Sequence, residues 1–145
     1  MNFVSKKFDE LTLSELYEIL KVRSSVFIVE KEMRCLDMDG KDQISRHFFI
    51  EENGKILAYL RAFYIDDTKT AVRIGRVLTI NHGIGMGADI MKKAIAYIKE
   101  STDCKTICLD SQKQVIGFYE KLGFNIVSDE FMEEGVLHVK MQLDL

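Results

Sequence analysis

No apolar run in the 145-residue chain approaches the ~18 residues a membrane span needs, and Met1 to Lys7 lack the apolar centre of a signal peptide. A cytoplasmic protein with no membrane partner is therefore expected. Cysteine is scarce: Cys35, Cys104 and Cys108 are odd in number and suit a reducing compartment. Cys104 and Cys108 do not form a C-x-x-C pair and have no histidine nearby, so no metal is expected. Net charge is only −3, which excludes a nucleic-acid partner held by a broad basic surface. Repeats, linkers and low-complexity tracts are missing. What remains is ordinary soluble composition, 47% hydrophobic and 30% charged, at a length that suits one domain over residues 1–145.

The chain is organised around Val72 to Ile98. A β-branched run (Val72, Ile74, Val77, Leu78, Ile80) stops at Asn81, and glycines follow at Gly83, Gly85 and Gly87. Ile90, Met91, Ala94, Ile95 and Ile98 then recur at the spacing of one helix face. Strand, tight glycine turn and helix leave the first helical amides unpaired at the positive end of the helix dipole. Such a turn suits phosphate or pyrophosphate.

Around this unit, Phe3 to Phe8 reads as a strand. Thr12 caps a helix, Glu15 completes a capping box and Leu11 staples against Leu16. The helix is expected to bury Leu13, Leu16, Leu20 and Phe27 and to run to about Val29. Glu30 to Arg46 has no periodicity. Its Asp37, Asp39 and Asp42 surround Gly40, but the glycine position and Phe48 at the twelfth place do not fit an EF-hand, so a surface loop near a substrate is expected. His47 to Glu51 and Lys55 to Ile65 form a hairpin through Asn53-Gly54, a type I′ turn. Ala71 to Ile80 is the central strand. Thr106 to Leu109 follows the glycine helix as a parallel crossover. Gln112 to Leu122 is a helix stopped by Gly123, and Phe124 to Val127 and Leu137 to Leu143 are strands linked by an acidic loop, Asp129 to Gly135. The order is β-α-β-β-β-α-β-α-β-β, an α+β fold.

Gly83-x-Gly85-x-x-Ala88, with Asp110 beyond it at a strand end, satisfies the loose dinucleotide fingerprint. The antiparallel hairpin before it and the short chain after Asp110 disagree with a Rossmann unit. The element order instead resembles the Gcn5-related N-acetyltransferases (GNAT superfamily) across nearly the whole chain. Their pyrophosphate loop, [Arg/Gln]-x-x-Gly-x-[Gly/Ala], corresponds to His82-Gly83-Ile84-Gly85-Met86-Gly87, with His82 where Arg or Gln is usual and a loop about two residues short. Their tyrosine, four residues before Gly-Phe, corresponds to Tyr119 in Gly117-Phe118-Tyr119-Glu120-Lys121-Leu122-Gly123-Phe124. Gln112 stands where the family often has Asn. Val26 to Glu30, Asp37 to Gly40, Arg46-His47, Ile74 to Val77 and Glu134 to His138 resemble the ElaA-like branch.

The resemblance implies a single domain with a mixed, mostly antiparallel sheet, helices on both faces, and an acetyl-CoA cleft where the fourth and fifth strands splay. It implies acetyl transfer from acetyl-CoA to a primary amine of a small molecule or peptide, by a monomer or homodimer, without a metal or a covalent enzyme intermediate. Val77, Leu78, His82, Gly83, Ile84, Gly85, Met86, Gly87, Ala88, Gln112 and Tyr119 would hold acetyl-CoA. An amide near Leu78 would polarise the thioester. Helical periodicity alone makes Tyr119 a core residue beside Val115, Ile116 and Leu122; the resemblance makes it the general acid for the thiolate. His47 and His138 are candidates to contact the acceptor and take its proton, as is a water chain. Arg61 and Arg76 either face an acidic acceptor or pair with Asp37, Asp39 or Glu30. Two other readings stay open, a non-catalytic acyl-CoA-binding module and a nicotinamide-cofactor binder.

Overall fold

A computed structural model describes residues 1–80 and 84–145. Strand β1 (Asn2–Lys7) leads to helix α1 (Leu13–Arg23), then strands β2 (Arg46–Glu52), β3 (Lys55–Tyr64) and β4 (Ala71–Thr79). Helix α2 (Met86–Ser101), strand β5 (Thr106–Gln112) and helix α3 (Ile116–Glu120) follow, and strands β6 (Asn125–Ile126), β7 (Phe131–Glu133) and β8 (Val136–Asp144) complete the order. The strands form one sheet in the order β1-β2-β3-β4-β5-β8-β6, with β7 also on β8. Every pairing is antiparallel except β4 with β5.

Local chemistry accounts for the elements. Thr12 Oγ1 accepts the Glu15 amide at 3.0 Å and Glu15 accepts the Thr12 amide at 2.8 Å, so the capping box starts α1 as expected. Asn53 (φ 53°) and Gly54 (φ 78°) are both left-handed, as the type I′ turn between β2 and β3 requires. The acidic loop hides a second such hairpin. Glu134 (φ 50°) and Gly135 (φ 74°) turn β7 onto β8; the Phe-Met-Glu of β7 is too short to show alternation, so in sequence it reads as loop.

The buried stripe of α1 also differs from expectation. Leu13 is 87% exposed, while Ile19, Arg23 and Val26 are buried. Hydropathy discounts an arginine as core, yet Arg23 is buried because two aspartates meet it, and the stripe turns accordingly. The helix continues to Glu30 as a π-helical stretch, Ser24–Glu30, close to the expected end.

Side-chain alternation divides the sheet into two cores. Phe48, Ile50, Ala58, Leu60, Val72 and Ile74 pack with Ile90, Met91, Ala94 and Ile98 of α2. Phe49 and Tyr59 pack with Ile19 and Val26 on the opposite, α1 face, and Ile56 joins them because a register shift against β2 at Ile50–Glu51 separates it from Ala58. Strand β4 breaks this parity: Ile74 belongs to the α2 core and Leu78 to the α1 core, although they are four residues apart. The register explains it. Arg61 faces Gly75 and Tyr59 faces Leu78, so β4 carries one extra residue there, with Arg76 left-handed at φ 55°. A bulge of this kind bends its strand. Strand β4 pairs with β5 only from Ala71 to Arg73, whereas β5 stays on β8 along its whole length. The sheet therefore splits from Ile74 on one side and Leu109 on the other.

Candidate active site

The split opens a cleft of about 810 Å³, lined by β4 from Arg73 to Thr79, by Leu109, Asp110 and Gln112 of β5, and by Gly87, Phe118 and Tyr119. Loop residues Met33 to Asp37 and the β7–β8 turn close its other side. The direction of the β4 peptides follows from pairing. The Ile80 amide donates to the Leu57 carbonyl at 3.0 Å, so Ile80–Leu57 is a hydrogen-bonded pair and, two residues on, Leu78–Tyr59 is another. The peptide groups of Val77 and Thr79 then point away from β3 into the split. Around Leu78, the main-chain groups that face the split are therefore those of its two neighbours. Leu78 spends its peptide on β3 and its side chain in the α1 core.

At the mouth of the cleft Gly85, at φ 80°, precedes the first turn of α2, and no side chain caps that end. The Asp89 amide bonds to the Gly85 carbonyl at 3.1 Å, so the amides of Met86, Gly87 and Ala88 have no carbonyl within the helix. The Met86 side chain is buried in the α2 core, which leaves only its backbone for a ligand, and Ile84 is exposed. A Cβ on Gly87 would sit 3.4 Å from the Phe118 ring and 3.6 Å from Thr79 Cγ2. The missing side chain thus lets α2 approach β4 and α3 closely. His82 and Gly83 lie outside the described residues.

Tyr119 is 8% exposed, with its ring edge-on to Phe118 and Phe124 at 5.1 and 5.9 Å. The Leu122 and Phe124 amides both bond its carbonyl, and Gly123, at φ 100°, makes that turn possible. Its hydroxyl has no hydrogen-bond partner among the described residues. Burial pushes its pKa up to about 12, so the proton stays on oxygen at neutral pH. Gln112 lies at the end of β5, where its side-chain oxygen accepts from Gln114 at 2.7 Å.

Of the two roles open for Arg61 and Arg76, the ion pair is what forms. Arg76 Nε binds Asp37 Oδ1 at 2.9 Å, and Arg61 binds Asp39 at 2.5 Å and Asp42 at 2.9 Å. Arg23, which sequence reasoning missed, adds Asp42 at 2.6 Å and Asp37 at 3.0 Å. Three arginines and three aspartates therefore fasten the loop to the sheet. The Arg61 guanidinium holds the Asp39 carboxyl well below the usual range. Burial pushes Asp42 up, but Arg23 and Arg61 outweigh it and its pKa is lowered. Arg76 still lines the cleft. Asp110, the residue a dinucleotide fold would use for ribose, is instead ion-paired with Arg73 where β4 and β5 part.

His47 is not brought to the cleft. It is 0% exposed, with Nε2 2.9 Å from the Asp42 carbonyl and Nδ1 2.6 Å from the Tyr59 hydroxyl. A carbonyl only accepts, so Nε2 donates and the Nδ1 lone pair is spent on Tyr59. It is a structural residue, a correction to the acceptor role considered above. Burial lowers its pKa from the ordinary 6.5. The unfolded chain therefore binds a proton that the folded one refuses, and stability falls as pH drops below about 6.5 until the folded value is passed. Urea unfolding from about pH 7.5 to about pH 5.5 should show this loss, up to ~1.4 kcal/mol per pH unit. His47→Gln, which can keep both hydrogen bonds, should flatten it; an unchanged slope would place the effect elsewhere. His138, by contrast, lines the cleft.

Among the described residues no group of His, Cys, Asp or Glu could hold a metal ion, and no helix is long and apolar enough to cross a membrane.

Residues 18–145 match the family model for the acetyltransferase (GNAT) domain. The chain is similar to a UPF0039 protein of Schizosaccharomyces pombe, 36% identical over 149 residues that cover 100% of this chain and 98% of the relative. It is similar to ElaA of Escherichia coli at 32% identity, covering 91% of this chain and 89% of ElaA. Among solved structures it resembles an acyl-CoA N-acyltransferase from Pseudomonas aeruginosa, with a TM-score of 0.92, 28% identity and 99% of each chain covered. The crystal structure of Escherichia coli ElaA aligns with a TM-score of 0.91 at 30% identity over 98% of each chain. Identity above 30% along almost the full chain, a matching family model and TM-scores of 0.92 and 0.91 leave one assignment: this acyltransferase belongs to the GNAT superfamily, in its ElaA-like branch.

Proposed function

We propose that residues 1–145 form one N-acetyltransferase domain that transfers acetyl from acetyl-CoA directly to a primary amine of a small molecule or peptide. Acetyl-CoA would supply an activated acetyl thioester. The observation that carries the reading is the split itself: free peptide groups of Val77 and Thr79, uncapped α2 amides and the Tyr119 hydroxyl all border one cleft.

The residues present fit that co-substrate. Amides of Met86, Gly87 and Ala88 offer donors and the positive helix end to a diphosphate. Val77 and Thr79 can pair with an amide-bearing arm as a neighbouring strand would. An N–H from the same stretch polarises the thioester carbonyl. Tyr119 keeps its proton until sulfur departs and then donates it. Arg61 and Arg76 are paired with Asp37, Asp39 and Asp42, so neither is free to select a carboxylate acceptor.

Steady CoA release with a panel of primary amines, with products identified by mass, tests the reading. Binding of acetyl-CoA without turnover across the panel would reduce it to an acyl-CoA-binding module. The anion site has its own test in Gly85→Val. Valine at φ 80° is strained, and because nothing lies within 4 Å of a Cβ there, the strain falls on the turn itself, where the diphosphate would sit. Acetyl-CoA affinity measured by calorimetry should weaken at least ~10-fold, equivalent to about 1.4 kcal/mol. Melting should fall by only a few degrees. Affinity within a factor of two of wild type would remove the diphosphate from this turn.

A further inference from the structure

The two described histidines commit their nitrogens differently. His138 faces Gln112 across β8 and β5, and the residues alternating with Gln112 on β5, Ile107 and Leu109, are packed in the α2 core. His138, Gln112 and Asp110 therefore stand on the other face, the one left open between the loop and the β7–β8 turn. An acceptor amine reaching the split from that face passes them. His138 is 6% exposed, with its ring stacked on Phe131, centroids 5.9 Å apart and planes at 23°. Its Nδ1 lies 2.8 Å from the Val136 carbonyl oxygen. That oxygen can only accept, so the neutral ring carries its proton on Nδ1 and its lone pair on Nε2. Nε2 has no protein partner among the described residues and is not sealed from the cleft. At His47 the same logic spends the lone pair on Tyr59.

We propose that His138 is the general base of the transfer, with the Val136 carbonyl fixing Nε2 as the atom that takes the proton. The proposal rests on the acetyltransferase reading above. As the carbon–nitrogen bond forms and the carbon–sulfur bond breaks, the proton leaving the amine nitrogen passes to Nε2, directly or through one water. The Tyr119 hydroxyl proton goes to sulfur. Solvent then takes the imidazolium proton and returns one to Tyr119, so one amide and one thiol replace one amine and one thioester. The opposite tautomer would turn a donor N–H toward the acceptor and provide no base.

Selective ¹⁵N labelling of histidine reads the tautomer in the free protein, without any acceptor. In its neutral form His138 should show a protonated Nδ1 and a bare Nε2. A protonated Nε2 would overturn the proposal. The second arm is His138→Gln, assayed with putrescine or a short lysine peptide, whichever the wild type acetylates. Turnover should fall by ~10² to 10⁴-fold, with acetyl-CoA affinity within twofold and melting little changed. Turnover at the wild-type rate overturns this proposal alone. A wild-type protein that acetylates no amine of the panel overturns the transferase reading and the proposal with it.

Discussion

Tyr119→Phe is expected to lower turnover by ~10²-fold while acetyl-CoA affinity stays near the wild-type value. The ring is edge-on to Phe118 and Phe124, and phenylalanine keeps those contacts. Its hydroxyl has no partner among the described residues, so removing it should change stability by no more than about 1 kcal/mol. Only the step that uses the proton should suffer. Burial raises the Tyr119 pKa to about 12, which keeps the group in the donating form through the neutral range. Steady-state kinetics with an amine the wild type acetylates, together with calorimetry on acetyl-CoA, separates the two effects. A variant with wild-type turnover would leave Tyr119 a packing residue.

The largest expected loss of stability is in Asp42→Ala, about 3 kcal/mol. Asp42 is 6% exposed and accepts from both Arg23 and Arg61. Its removal leaves two buried guanidinium groups short of a partner. Asp37 still meets Arg23 and Asp39 still meets Arg61, which keeps the cost at the lower end for a broken buried pair. Urea unfolding should report the change, and melting should drop on the order of 10 °C for a domain of this size. The lowered pKa values of Asp39 and Asp42 give the same network a pH signature. Its contribution is complete above the unfolded carboxylate range near 4 and is lost as pH falls through the lower folded values. An Asp42→Ala protein as stable as wild type would mean that the loop is held by other contacts.

The local signals in the sequence translate directly into structure where a few neighbouring residues decide the outcome. Asn53-Gly54 makes its turn because both residues tolerate left-handed backbone. Thr12 and Glu15 start α1 because the two partners of a capping box are three residues apart. Gly85 before α2 and the Gly123 stop behave the same way. The buried stripe of α1 was illegible because Arg23 becomes core only after Asp37 and Asp42 arrive, 14 and 19 residues later. Arg61 and Arg76 stood out as charges in strands, but nothing local says whether they serve an acceptor or a loop.

What the sequence determined by itself is the order of elements apart from β7, the glycine-led helix, the Tyr119 turn and, through their resemblance to a known pattern, the family. Each of these is written in residues that are near one another along the chain. The tertiary structure alone decided which peptides open into the split, because one extra residue at Arg76 shifts the β4 register against β3 and inverts the faces beyond it. It alone distinguished His47 from His138, since a ring nitrogen donates or keeps its lone pair according to the carbonyl or hydroxyl it meets, and those partners are set by packing. The loop of aspartates has the same origin: long-range ion pairs form only where folding brings buried opposite charges within reach of one another.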